Sequence, residues 1–436
     1  MRGLVLDWDE KGEFMSKEVI VVRGNGILTG EVHASGAKNS ALKLMAASLL
    51  GQGVSTIENV PHISDIAIMS EVLQRLGAEV SRDGHAMTVD TSRVDKFDTP
   101  YELVSKMRAS ISVLGPLIGR FGKAQVAMPG GCQIGARKID MHLVGLESLG
   151  VKFEVDHGTL MASTPEGLHG ASVTLEFPSV GATENMLMAA VVADGVTVIE
   201  NAAREPEISD LCEMLNAMGA RISGHGSSHI TVEGVPLSSM HPCRHTTVGD
   251  RVESGTFLAG GAVTGGPVTV RGIDPEFLRM AIVKLQAMGC DVETGEDWIT
   301  VSRKGPLKPA DIQTLPHPGF PTDLQAQFML LAALADGMSI ITENVFENRF
   351  MFAAELMRLG ADIALEDHHA FIRGVRSLEG APVSSTDLRA GATLVLAGIV
   401  ADGHTVVHDI HHIDRGYEDY CEKLRSLGAD VERRPA

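Results

Sequence analysis

Hydrophobic positions along the chain fall into two kinds of helical stretch separated by short alternating runs. Residues 207–218 carry apolar side chains at helical spacing with polar ones between, which predicts an amphipathic helix. Residues 195–201 (GVTVIEN) read as a strand, and 221–223 with 230–233 read as a strand pair across a Gly-rich turn. Residues 253–263 are apolar or small on nearly every side, and 266–272 follow as a further strand. A helix apolar all round needs cover on every side. The same kind of segment recurs at 39–50, 108–118, 183–192, 324–334 and 390–399.

The amphipathic stretches end in one repeated phrase. It reads LGAEV (76–80), LGVKF (149–153), MGARI (218–222), MGCDV (288–292), LGADI (359–363) and LGADV (427–431). The glycines are 73, 69, 70, 71 and 68 residues apart. Such a period means one supersecondary unit in six copies, each with two helices and about four strands. Three copies enclose three buried helices, so six copies make two α/β domains. The last copy lacks the second strand of its pair, and residues 19–24 (VIVVRG) supply one. The predicted division is an extension at 1–16, a discontinuous C-terminal domain of 17–37 and 248–436, and an N-terminal domain of 38–247. The polar stretch 237–248 is the expected crossing between them.

The composition, 44% apolar and 21% charged over 436 residues, is that of an ordinary globular chain. A formal charge of −19 with no long basic run argues against nucleic acid and anionic membrane surfaces as partners. No apolar run approaches the ~20 residues of a membrane helix, and five scattered cysteines suit free thiols in a reducing cytoplasm. His368-His369 and His411-His412 lack the spacing and partners of a metal site, so no metal and no cofactor are expected.

Function has to lie where the copies differ. At the entrances of the all-apolar helices sit Lys38-Asn39, Arg108, the run Ser179-Val180-Gly181-Ala182-Thr183, Asp250-Arg251, Thr322-Asp323, and Asp387 with Arg389. Helix N-termini favour anions through free N–H groups and the helix dipole. Each entrance alone also reads as an N-cap with a surface charge; polar groups at the same place in six copies point to convergence. The sharpest departure from the repeat is MPGGCQIGARKIDMH (128–142), a Gly-rich loop holding Cys132 with Arg137 five residues on. Basic neighbours lower a thiol pKa, whereas an exposed incidental thiol is the plain alternative. Arg349 and Arg415, each beside carboxylates, follow the strands after two of the buried helices.

The motifs SGAKNSAL (35–42), MRAS (107–110), GGCQIGAR (130–137), SVGATEN (179–185), NAAREPEI (201–208), FPTDLQAQ (320–327), TENVFENRF (342–350), TDLRA (386–390) and HIDRGYE (412–418) resemble those of the enolpyruvyl transferases. The resemblance spans about residues 18–434. It implies two inside-out α/β barrels with the active site in the cleft between them. It also implies transfer of enolpyruvate from phosphoenolpyruvate (PEP) to the 3′-hydroxyl of UDP-N-acetylglucosamine, a step of peptidoglycan synthesis. By the same resemblance Cys132 is the proton donor and the target of fosfomycin, and Asp323 is the base. Lys38, Asn39, Arg137, Arg349, Arg389 and Arg415 surround PEP. Arg108, Arg137, Lys138, Ile139, Asp140, Met141, Ser179, Val180, Gly181, Asp323 and Val345 hold the UDP-sugar. Lys138 stands where the family commonly has proline, and Phe177 where some relatives carry a polar residue. The alternatives are a transferase acting on shikimate 3-phosphate and an inactive paralogue that binds the nucleotide sugar.

Overall fold

The all-apolar segments are buried helices in the computed structural model, which describes residues 18–99, 102, 108–128 and 139–436, with backbone alone at 108–110. They are Lys38–Ala47, Leu114–Phe121, Val180–Ala190, Arg251–Thr264, Gln325–Ala333 and Leu388–Val400. The second is shorter than its sequence suggests, because a 3-10 turn over Arg108–Val113 precedes it. Pro116 explains the break: it has no N–H for the carbonyl four residues back, and its ring crowds that carbonyl.

Around these helices the described residues form six sheets, five of four strands and one of three. The unit is clear in Arg221–Ser223, His229–Glu233, Val196–Glu200 and Ser172–Thr174, lying side by side in that order. The first three are antiparallel to their neighbours, and the last joins in parallel. Strand residues alternate between buried and exposed, as in His229–Glu233, so each sheet turns one face to solvent and one to the helices. In the three-stranded sheet a lone parallel bridge from Asp98 to Gln125 stands in the place of the fourth strand.

The apolar interior falls into two clusters. One runs from Ala41 to Met240, and the other joins Ile20, Val22, Leu28 and Val32 to residues between Val252 and Val431. Strand Glu18–Arg23 lies between His404–His408 and Asp430–Pro435, completing the sheet of the last repeat. The polar stretch 237–248 is more ordered than a simple crossing: it holds a 3-10 turn, Leu237–Ser239, and strand Arg244–Thr246, which runs parallel to Val54–Glu58. The two passages between the clusters pair with each other. Gly36 bridges Gly249, Ala37 N–H donates to the Val248 carbonyl at 2.7 Å, and Asp250 N–H to the Ser35 carbonyl at 2.8 Å.

Backbone meets backbone at this joint. A Cβ on Gly36 would lie 1.6 Å from the Asn59 carbonyl oxygen, whereas one on Gly305 meets nothing within 4 Å. Gly36→Ala is expected to destabilise the protein by more than about 2 kcal/mol, and Gly305→Ala to stay within about 0.5 kcal/mol of wild type. Urea denaturation of the two variants checks this; equal midpoints would contradict it.

Candidate active site

The helix entrances of the two halves face each other, and charged side chains fill the space between. Lys38, first residue of its helix, places Nζ 2.6 Å from Asp65 Oδ2. Arg415 comes from the other cluster and donates to the same carboxylate, from Nε to Oδ1 at 3.0 Å. Asp65 is buried, in the first turn of helix Ser64–Arg75. Burial alone would raise its carboxyl, but the Lys38 and Arg415 cations outweigh that and hold it below the ordinary carboxylate range. Burial lowers the Lys38 ammonium below its usual value, and the nearby Arg415 and Arg389 cations lower it further, while Asp65 opposes them.

A second carboxylate holds two more arginines. Asp323, in the 3-10 turn Thr322–Leu324 that leads into helix Gln325–Ala333, accepts from Arg349 Nη2 at 2.9 Å and Arg389 Nε at 3.4 Å. Both guanidiniums are buried. Burial works against the Arg389 charge, yet the neighbouring Tyr417 phenol and Asp323 carboxylate overcome it and push its pKa above the ordinary arginine value; the Tyr417 ring lies 5.2 Å from the guanidinium. Arg389 Nη1 is buried with no hydrogen-bond partner among the described residues. Such an orphaned cationic donor is costly unless an anion meets it.

Neighbouring carboxylates set these groups in place. Glu343 accepts the N–H groups of Val345 and Phe346 at 2.8 and 3.1 Å. Its other oxygen accepts Thr322 Oγ1 and Gln325 Nε2 at 2.9 and 3.0 Å, so one buried side chain locks the Val345–Arg349 loop onto the Asp323 turn. Asp250 caps helix Arg251–Thr264 through the N–H groups of Val252 and Glu253, while its other oxygen accepts the Lys38 N–H at 3.2 Å. The adjacent Arg251 reaches across to Glu207 at 3.0 Å.

At another of the helix entrances, Ser179 caps helix Val180–Ala190 through the Ala182 N–H. Asn185 accepts the Gly115 N–H at 2.7 Å, and its Nδ2 lies 3.0 Å from His142 Nδ1. A Cβ on Gly181 would sit 2.9 Å from the His142 ring, so a larger residue there has to displace that ring. Ile139 is buried, Asp140 exposed and Met141 half-buried at the start of helix Asp140–Ser148. Asn39, Val345 and Val180 are half-buried near the same entrances. Cys132, Arg137 and Lys138 lie outside the described residues, as does the Arg108 side chain. The thiols of Cys212, Cys290 and Cys421 are buried and pushed up to about 12, 11 and 11 by desolvation, and that of half-buried Cys243 is raised in the same way.

The family model for EPSP synthase (3-phosphoshikimate 1-carboxyvinyltransferase) matches residues 22–424. A curated relative from Corynebacterium jeikeium is 52% identical over 417 residues, covering 96% of this chain and 99% of its own. One from Mycobacterium bovis is 51% identical over 416 residues, covering 95% and 99%. The chain belongs to the enolpyruvyl transferase family. Both of those relatives bear the name UDP-N-acetylglucosamine 1-carboxyvinyltransferase. Among solved structures, the enolpyruvyl transferase NikO from Streptomyces tendae superposes with a TM-score of 0.87 at 28% identity, covering 96% of this chain and 99% of its own. EPSP synthase from Acinetobacter baumannii, at 0.72 and 18% identity with 96% and 99% covered, shares the two-domain α/β fold of these enolpyruvyl transferases.

Sequence reasoning missed Asp65 and Glu343. For Asp65 a signal existed: Ile63-Ser64-Asp65 recurs as Ile208-Ser209-Asp210, and Asp210 also holds groups at an entrance, Ser40 Oγ and the Val248 N–H. Removing one partner of a buried charge pair typically costs about 3–5 kcal/mol, and Asp65→Asn is expected to cost that much at pH 7. A depressed carboxyl contributes stability that is present above its unfolded pKa and is lost as pH falls through the folded one, here below about pH 4. Urea denaturation between pH 3 and pH 7 should therefore show the wild-type advantage over Asp65→Asn shrinking with acid. A difference independent of pH would contradict the assignment.

Proposed function

We propose that this enolpyruvyl transferase moves the enolpyruvyl group of PEP to the 3′-hydroxyl of UDP-N-acetylglucosamine and releases phosphate. The names of its half-identical, nearly full-length relatives support this acceptor. The geometric observation that carries the anion-binding part is the unpartnered Arg389 Nη1, set among Arg349, Arg415 and Lys38.

The chemistry is addition followed by elimination. The sugar oxygen bonds to C2 of PEP while a proton goes to C3; C3 then loses a proton and the C2–O bond to phosphate breaks. Cys132 delivers the proton to C3 and Asp323 accepts that of the hydroxyl. Lys38, Asn39, Arg137, Arg349, Arg389 and Arg415 face the charged groups of PEP, where preorganised cations stabilise the charge that builds up. PEP competes with Asp323 for Arg389 and Arg349, and a carboxylate released from them is available to the hydroxyl. Arg108, Arg137 through Met141, Ser179, Val180, Gly181, Asp323 and Val345 line the UDP-sugar. The same reading divides the chain into 38–247 and the discontinuous 17–37 with 248–436, and places the enzyme in cytoplasmic peptidoglycan synthesis. Among the described residues, no helix is long and apolar enough to cross a membrane.

Phosphate release from PEP that depends on UDP-N-acetylglucosamine tests this function, and release with shikimate 3-phosphate alone would overturn it. Asp323→Asn keeps the shape without the proton acceptor, so turnover should fall by roughly 10²–10⁴ while UDP-sugar binding weakens far less. Fosfomycin, a small phosphonate epoxide, should alkylate Cys132 in preference to the four other thiols, and faster with UDP-sugar present. Cys132→Asp keeps a proton donor but lacks the sulfur nucleophile, and it should resist labelling. Peptide mass mapping that finds Cys132 unmodified in inactivated enzyme would remove it from this role.

A further inference from the structure

Close to the Asp65 joint, but using none of the groups proposed to meet substrate, three ligand-bearing side chains from both halves come together. His62, His85 and Glu418 place one ligand atom each within 4.8 Å of one another. The two rings meet edge to face with centroids 4.9 Å apart. His85 Nε2 lies 2.9 Å from Glu418 Oε1. Backbone and hydroxyl groups orient that carboxylate, since the His62 N–H donates to Oε1 at 2.8 Å and Ser35 Oγ to Oε2 at 2.9 Å. The imidazole rings are exposed, whereas Glu418 is buried.

We propose that these residues bind a divalent transition metal ion of the zinc class and that the ion ties the two halves together. Two imidazoles and one carboxylate form a common donor set for such ions, with a further position left to water. Arg82 is turned to the Val60 and Pro61 carbonyls at 3.2 and 3.0 Å, and its nearby charge limits the affinity. No sequence spacing announces the set, because Glu418 is over 300 residues from both histidines. Its position gives it consequence: His62 precedes Asp65 by three residues and Glu418 follows Arg415 by three. An ion here holds the pair Asp65–Arg415 in register across the cleft.

The test uses the full chain carrying Cys132→Ser, so that no Cys132 thiolate competes, freed of metal with a chelator. Zinc chloride is titrated by calorimetry, and cobalt chloride by absorption as a report of ligand type. One zinc ion per chain, imidazole-type cobalt bands and a zinc-dependent rise in Tm are expected. His85→Gln should raise the apparent Kd at least about tenfold, and His62→Gln/His85→Gln should abolish the rise in Tm. Glutamine at 85 keeps an N–H donor for the buried Glu418 carboxylate, and a cooperative zinc-free melting transition shows that the variants fold. No bound zinc in the parent, or equal affinity in the double variant, overturns the site. This readout needs no transferase activity.

Discussion

One buried carboxylate, Asp65, lies between a lysine and an arginine that arrive from opposite halves of the molecule. Two cations this close would repel strongly in a buried setting; the shared anion makes their approach favourable. That single constraint fixes Lys38 at the first turn of its helix and Arg415 at the rim of the other half. It also leaves the site with an excess of positive charge once Arg349 and Arg389 are added around Asp323. A chain with a net charge of −19 thus concentrates cations in one place by burying a few well-chosen acids among them.

The architecture makes such concentration possible. Helices turned inward and sheets outward put helix N-termini at one end of each half, where unpaired N–H groups and local dipoles already favour anions. Asp250 shows how closely fold and site are joined. The carboxylate that caps helix Arg251–Thr264 also receives the Lys38 N–H, so the crossing between halves and the placement of the lysine are one structure. Glu343 does the same between the Asp323 turn and the Arg349 loop.

Much of this was legible in the sequence. The six-fold phrase ending each amphipathic helix gave the unit, and apolar residues on every side of 253–263 marked a helix buried on every side. The truncated last repeat pointed to residues 19–24 as its missing strand, which the fold forms as Glu18–Arg23. The entrances marked Lys38, Asp323 and Arg389 because those positions are polar in otherwise apolar helices. Periodicity did not place Asp65, Glu343 or Glu418, since a buried carboxylate is recognised by what it faces. Their partners, among them Arg415 for Asp65 and His85 for Glu418, are hundreds of residues away in some cases and neighbours only in the folded chain. Local chemistry also shortened one helix, where Pro116 forced a 3-10 lead-in.

Asp65 and Arg415 act as one unit across the cleft. A double-mutant cycle with Asp65→Asn and Arg415→Gln, read as kcat/KM for PEP in phosphate release, tests it most directly. Coupling of at least about 1.5 kcal/mol, with the double variant far better than the product of the two single losses, is the predicted result. Additive losses would mean that the two groups act independently and would contradict the account.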